Sequence, residues 1–142
     1  LNECLEEAVT LMQRELRAGI PVVRKLGKIP QVRCLRGQMS QVFLNLLKNA
    51  GEAIEKNGTV TLRTQQTDGH VMVEVADTGR GMPEEVRRKL FEPFFTTKPV
   101  GKGLGLGLSI SAMIVHNHNG RITVNSRPGH GSSFRVVLPL LP

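Results

Sequence analysis

Tryptophan and tyrosine are both absent from the 142 residues, and only two cysteines occur, Cys4 and Cys34. Without Trp or Tyr, two of the side chains that stack on nucleic-acid bases are missing, which disfavours direct nucleic-acid binding. The cysteines lie far apart in sequence and have no CxxC spacing. They read as reduced thiols of a cytosolic protein rather than as a disulfide framework. No apolar run reaches the length of a membrane span, and the opening residues do not read as a signal peptide. Two familiar phosphate loops are missing as well. GxxxxGK[ST] does not occur, and the glycines after Lys98 do not fit GxGxxG, because with Gly101 and Gly103 the last position is Leu106.

What remains is an ordinary globular composition, 39% hydrophobic and 22% charged, sufficient for one domain with a sizeable core. The net charge of +7 suits nucleic acid, anionic lipid or a phosphate ligand. The basic residues are scattered, however, with one local group at Arg87, Arg88 and Lys89. The first residues, LNECLEEAV, already read as helix, so the chain is expected to be cut from a longer protein.

Periodicity predicts a helix over 2–18, with Asn2 as N-cap, Leu5, Val9, Met12 and Leu16 as the apolar stripe and Gly19 as terminator. Short strands are expected at 21–25 and 31–35. A second helix is expected from Arg36 to Lys56, stopped by Asn57–Gly58. Residues 59–67 and 70–76 read as a hairpin across Asp68–Gly69. A short helix over 83–90, a Gly- and Thr-rich loop to Gly103, a third helix over 104–118 and a closing hairpin of 121–126 and 132–138 follow. Helices separated by antiparallel strands imply an α+β sandwich.

Three segments can carry chemistry. In QVFLNLLKNAGEAI, Phe43, Leu46, Leu47, Ala50 and Ile54 form the buried face, and Gln41, Asn45, Lys48, Asn49 and Glu52 a polar stripe. Asparagine is a poor helix former because its side chain competes for backbone groups. Asn45 and Asn49, one turn apart, can reach one ligand or one hydrated Mg²⁺; a solvated polar face is the other reading. In VEVADTGRGMP, a valine-rich strand delivers Asp77 to a glycine turn. There its carboxylate can accept from the amino group of adenine, whereas guanine would present acceptor to acceptor. An ordinary Asp–Gly turn is the alternative. In GKGLGLGLS, four of nine residues are glycine. Each glycine costs roughly 1 kcal/mol in a regular element, and close approach of backbone to a phosphate at a helix N-terminus is one offset. Lys98 and Lys102 add positive charge, and a flexible surface loop is the other reading. Before it, Phe91, Phe94 and Phe95 are expected to pack as a hydrophobic hinge. His116 and His118 have an HxH spacing with no further ligand nearby, so they read as exposed residues at a helix end.

In this order, NLLKNAGEA, DTGRGMP, FEPFFTTK, GKGLGLGLS and GHGSSF closely resemble the N, G1, F and G2 boxes and the closing hairpin of sensor histidine kinases. These belong to the GHKL ATPase superfamily, with gyrase, mismatch-repair ATPases and a heat-shock chaperone. The resemblance covers nearly the whole chain, and TTKPVGKGLGLGLSIS is most similar to the nitrogen- and dicarboxylate-sensing subgroup. It implies a two-layer α/β sandwich in which a mixed, mostly antiparallel sheet is covered by three helices. It also implies ATP and Mg²⁺ as cofactors. By resemblance Asn49 holds Mg²⁺ and Asn45 contacts nucleotide. Asp77 reads adenine in a pocket shaped by Gly79 and Gly81, with Ser132 beside it. Thr97, Lys98, Gly101, Lys102, Gly103, Leu104, Gly105, Leu106 and Gly107 match the lid and phosphate loop.

GHKL members that hydrolyse ATP generally carry Glu where this chain has Asn45, and an amide is no general base near neutral pH. The resemblance therefore implies presentation of the γ-phosphate rather than fast hydrolysis, with Asn45 and Lys48 as catalytic-site residues. Glu52 stands where some sensor kinases carry a basic residue, which leaves that phosphate contact to Lys48 or Lys102. None of His70, His116, His118 and His130 lies in the family's His-Glu-x-x-x-Pro context. The chain is thus expected to be a single catalytic ATP-binding domain over 1–142 that does not autophosphorylate alone. The expected partners are a histidine-bearing dimerisation domain of the same protein and a cognate response regulator. The isolated domain is expected to be a cytoplasmic monomer from a protein anchored in the bacterial inner membrane, with no nucleic-acid partner. A GHKL-type ATPase and a degenerate regulatory nucleotide-binding module are the alternatives.

Overall fold

The computed structural model describes residues 1–13, 16, 19–95 and 106–140. Its elements run α1 (Asn2–Met12), β1 (Val22–Leu26), α2 (Arg36–Ala53), β2 (Val60–Thr67), β3 (His70–Asp77), α3 (Glu84–Lys89), α4 (Gly107–Asn117), β4 (Arg121–Ser126) and β5 (Ser132–Pro139). The five strands form one sheet in the order β1-β2-β3-β5-β4, with β1 parallel to β2 and the other pairs antiparallel.

Alternation along the central strands decides which face is covered. Leu62, Val75 and Phe134 lie side by side across β2, β3 and β5, as do Thr64, Val73 and Val136, and all are buried. Against this face pack Leu5 and Val9 of α1, Phe43, Leu46 and Leu47 of α2, and Ile114 and Val115 of α4. Burying each large apolar side chain contributes about 1.5–3 kcal/mol, whereas an asparagine in a helix costs less than about 0.7 kcal/mol relative to alanine. Tertiary burial therefore holds α2 together despite Asn45 and Asn49. The short α3 buries none of its side chains, so α1, α2 and α4 form the covering layer.

The α+β sandwich, the mixed sheet and the closing hairpins match expectation; several local readings do not. Residues 31–35 form no strand, and the Leu35 N–H donates to His118 Nε2 at 3.0 Å instead of to a ladder partner. Asn2 does not cap α1. Leu1 is the N-cap residue, and Asn2 Nδ2 donates to the Gly27 carbonyl at 2.9 Å while its Oδ1 accepts from Thr64 Oγ1 at 2.9 Å. That network ties the start of α1 to the β1–β2 edge. α1 ends at Met12, although the Leu16 N–H still bonds the Met12 carbonyl at 2.8 Å. α2 stops at Ala53 rather than Lys56 because Ile54 is extended and buried, and the Ala53 carbonyl accepts the Arg80 N–H at 3.0 Å. α4 begins at Gly107, with Leu106 as its N-cap residue.

Candidate functional site

The loop after β3 is fixed before any ligand is considered. Asp77 closes the strand and is only 7% exposed. Its Oδ1 accepts the Gly79 N–H at 2.8 Å, a local Asx turn that aims the carboxylate back over the strand end. In register it faces Ser132 of β5, which is also buried. Burial pushes the Asp77 carboxyl above its ordinary value, against the opposing pull of backbone hydrogen bonds at Gly79 and Ser132 and of the Arg80 charge. No ion pair among the described residues involves Asp77. A buried carboxylate of this kind is left to meet a neutral donor.

The two glycines are where the backbone needs them. A Cβ at Gly79 would run into the Ala53 carbonyl at the end of α2. Gly81 has φ +69°, and a Cβ there would overlap the Arg127 carbonyl oxygen of the β4–β5 turn. The loop is thus pressed between α2 and that turn. The Gly129 N–H donates to the Arg80 carbonyl at 2.7 Å, and the Met82 N–H to Ser126 Oγ at 2.9 Å.

The second half of the site lies at the middle of α2. Asn45 Nδ2 donates to the Gly107 carbonyl at 3.2 Å and to the buried Ser111 Oγ at 3.2 Å. The Gly107 carbonyl can only accept, so the amide must turn its NH₂ toward α4 and keep Oδ1 as its acceptor. Asn49 lies one turn further along α2, half-buried. From Asn45 to Ala53 the helix rises about 12 Å. One helix therefore runs from the Asn45–Gly107 contact to the Ala53–Arg80 contact beside the Asp77 loop.

Asp77, Gly79 and Ser132 are brought together at one end, with Gly81 packed on the β4–β5 turn behind them, and Asn45 and Gly107 meet at the other. Leu106 is the N-cap residue of α4, its carbonyl accepting the Ile110 N–H at 2.8 Å and Ser109 Oγ at 3.0 Å. Lys48 is exposed on α2. Glu52 is exposed too, and its carbonyl accepts from Arg80 Nη1 at 3.4 Å. Thr97, Lys98, Gly101, Lys102, Gly103, Leu104 and Gly105 lie outside the described residues. The phenylalanines do not all pack as expected. Phe91 stacks edge-on against Phe134 with centroids 6.4 Å apart, but Phe94 has φ +67° and is 71% exposed. His118 is not a free surface residue, since its ring bridges Leu35 N and the Ile114 carbonyl. Both cysteines are free thiols.

Sequence reasoning missed Ser111 and Ser126. The signal for Ser111 is a hydroxyl within the apolar LSISAMIV run. Ser126 gives none, because a polar residue at a strand end is unremarkable until its partners are known.

The chain matches the family of histidine kinase-, DNA gyrase B- and HSP90-like ATPases over residues 35–142, and it belongs to that family. It is 40% identical over 143 residues to Sporulation kinase C of Bacillus subtilis (strain 168), covering 99% of this chain and 33% of that protein. The chain thus spans about a third of the length of that curated relative, and less of several others. Its fold superimposes on the nucleotide-free catalytic domain of histidine kinase ThkA with a TM-score of 0.87 and 34% identity, covering 99% of this chain and 95% of that one. It also superimposes along its whole length on ThkA in complex with the response regulator protein TrrA, with a TM-score of 0.82 and 32% identity, covering 41% of that chain. The chain is homologous to histidine kinase catalytic domains, and the family implies use of ATP.

Proposed function

We propose that this domain binds Mg²⁺·ATP and presents its γ-phosphoryl group to a histidine on a separate dimerisation domain of a sensor kinase, from which a response regulator takes it. The observation that supports this most directly is the buried Asp77 carboxylate, without an ion pair among the described residues, near the C-terminal end of α2, with the Asn45–Gly107 bond at the middle of that helix. Asp77 accepts from the adenine amino group, with Gly79, Gly81 and Ser132 shaping its surroundings. Lys48 and the glycine loop, including Leu106 and Gly107, serve the phosphates.

The donor set fits Mg²⁺ held mainly by phosphates and water. Among the described residues no group of three or more His, Cys, Asp or Glu side chains could hold a metal by itself. The half-buried Asn49 amide can supply one oxygen. When bound, the ion neutralises phosphate charge. The protein's own part is positioning. In the transfer, a bond forms between the histidine nitrogen and phosphorus as the bond from phosphorus to the ADP oxygen breaks. The histidine supplies its own nucleophile, so no general base is needed at Asn45.

The test is incubation with γ-labelled ATP and Mg²⁺, with and without a histidine-bearing dimerisation domain from a relative. The expected result is acid-labile phosphohistidine on the added domain and none on this chain alone. Steady release of inorganic phosphate without phosphohistidine would contradict the proposal and favour an ATPase. Membrane anchoring of the full-length protein belongs to the same proposal; among the described residues no helix is long and apolar enough to cross a membrane.

A further inference from the structure

The loop after β3 and both sides of the β4–β5 turn meet at one hydroxyl. Ser126 Oγ, at the end of β4, accepts the Met82 N–H at 2.9 Å. It donates to the Gly131 carbonyl at 2.9 Å and lies 2.8 Å from Ser132 Oγ. A serine hydroxyl has one donor and two acceptor sites. Here all are filled if the Ser126 proton goes to Gly131 and the Ser132 proton to Ser126. Met82 belongs to the loop that begins at Asp77, and Ser132 faces Asp77 across the β3–β5 register. Ser126 therefore spans the two walls beside that carboxylate without touching it.

We propose that Ser126 is a positioning residue for base selectivity: it locks the Gly79–Met82 loop and the Ser132 hydroxyl into one arrangement around Asp77. This rests on the adenine-reading role proposed for Asp77. Without the Ser126 hydroxyl, the Met82 N–H and the Gly131 carbonyl lose a partner together. The loop then loses one fastening to the β4–β5 turn and keeps the Gly129–Arg80 bond.

The test compares wild type with Ser126→Ala, Ser126→Thr and Ser126→Cys. It measures binding of ATP, GTP and inorganic tripolyphosphate, each with Mg²⁺, and amide hydrogen exchange at Met82. Ser126→Ala is expected to weaken ATP binding by about tenfold, the scale of one buried group losing its partner. Tripolyphosphate binding should hold, the ATP-to-GTP preference should fall, and Met82 should exchange faster. Ser126→Thr keeps the hydroxyl and should keep the preference. Ser126→Cys, a weaker acceptor of similar size, should fall between them and serves if the alanine variant does not fold. An unchanged preference in the alanine and cysteine variants would overturn the role of Ser126, as would equal loss of ATP and tripolyphosphate binding. A wild-type protein with no preference for ATP would overturn the reading of Asp77 and this inference with it. Faster Met82 exchange in Ser126→Ala would then still establish the clamp as structural only.

Discussion

Asn45 and Ser111 are joined across the α2–α4 interface by a 3.2 Å hydrogen bond from Nδ2 to Oγ, and the same Nδ2 also reaches the Gly107 carbonyl. The residue that replaces a catalytic glutamate in the resemblance to GHKL ATPases is thus an interhelical fastener, its NH₂ turned to the helix that follows the glycine loop. Asn45→Asp would set a carboxylate oxygen against the Gly107 carbonyl, acceptor to acceptor. It should destabilise the domain by about 1–3 kcal/mol near neutral pH, more than Asn45→Ala, with part of the loss recovered on acidification as the carboxyl gains a proton. Urea unfolding of both variants at two pH values checks this; an aspartate variant as stable as wild type at neutral pH would contradict the assignment.

If Asp77 reads adenine as proposed, it sets stability against selectivity. Its carboxyl is held above the ordinary range chiefly by burial. The folded state therefore favours the proton more than the unfolded state does, and stability falls as pH rises from the unfolded value through the raised folded one. Above that window the folded domain carries a buried charge that its hydrogen bonds and Arg80 offset only in part. Asp77→Asn should raise the melting temperature of the nucleotide-free domain at neutral pH, and the gain should vanish in acid below the ordinary carboxylate range. The same variant should lose preference for ATP over GTP. Thermal unfolding across pH checks the first outcome; a constant gain at every pH would refute the electrostatic cause.

Asn49 is assigned the one amide oxygen offered to Mg²⁺. Asn49→Ala should bind ATP with an affinity that no longer depends strongly on Mg²⁺, while the fold is retained. Titration with ATP in Mg²⁺ and in a chelator measures the dependence, and an unchanged ratio would rule the residue out as a ligand.

Gly81 has φ +69° and no room for a side chain beside Arg127. Gly81→Ala should cost about 2 kcal/mol or more, combining left-handed strain with overlap on a backbone carbonyl. Gly129→Ala is a control, because its φ is also positive but nothing lies within 4 Å of the added carbon. Denaturant unfolding of the pair separates strain from overlap. Equal losses would show that the Arg127 contact does not matter.

The central sheet was legible because Val71, Val73 and Val75 share one face of β3, although Met72 and Glu74 on the other face are buried as well, and the Asp68–Gly69 turn joins the hairpin strands. Asp77, Gly79 and Gly81 were legible because local chemistry, a carboxylate and two glycines at a strand end, accounts for their placing. The end of α2 was not, since Ala53 gives its carbonyl to Arg80, a partner from a distant loop. Residues 31–35 have strand-like composition but join neither sheet edge, and Leu35 pairs with the His118 ring instead. Asn2 was misread for the same reason: its amide has a better use at Gly27 and Thr64 than at the helix start. Ser126 illustrates the general limit. Its role arises from three partners that only the fold brings together.

The most direct test of the account is calorimetric titration of the domain with ATP and with GTP, each with and without Mg²⁺. The account predicts Mg²⁺-dependent binding of ATP and much weaker binding of GTP. Equal binding of both nucleotides, or of neither, would contradict an adenine-reading site at Asp77.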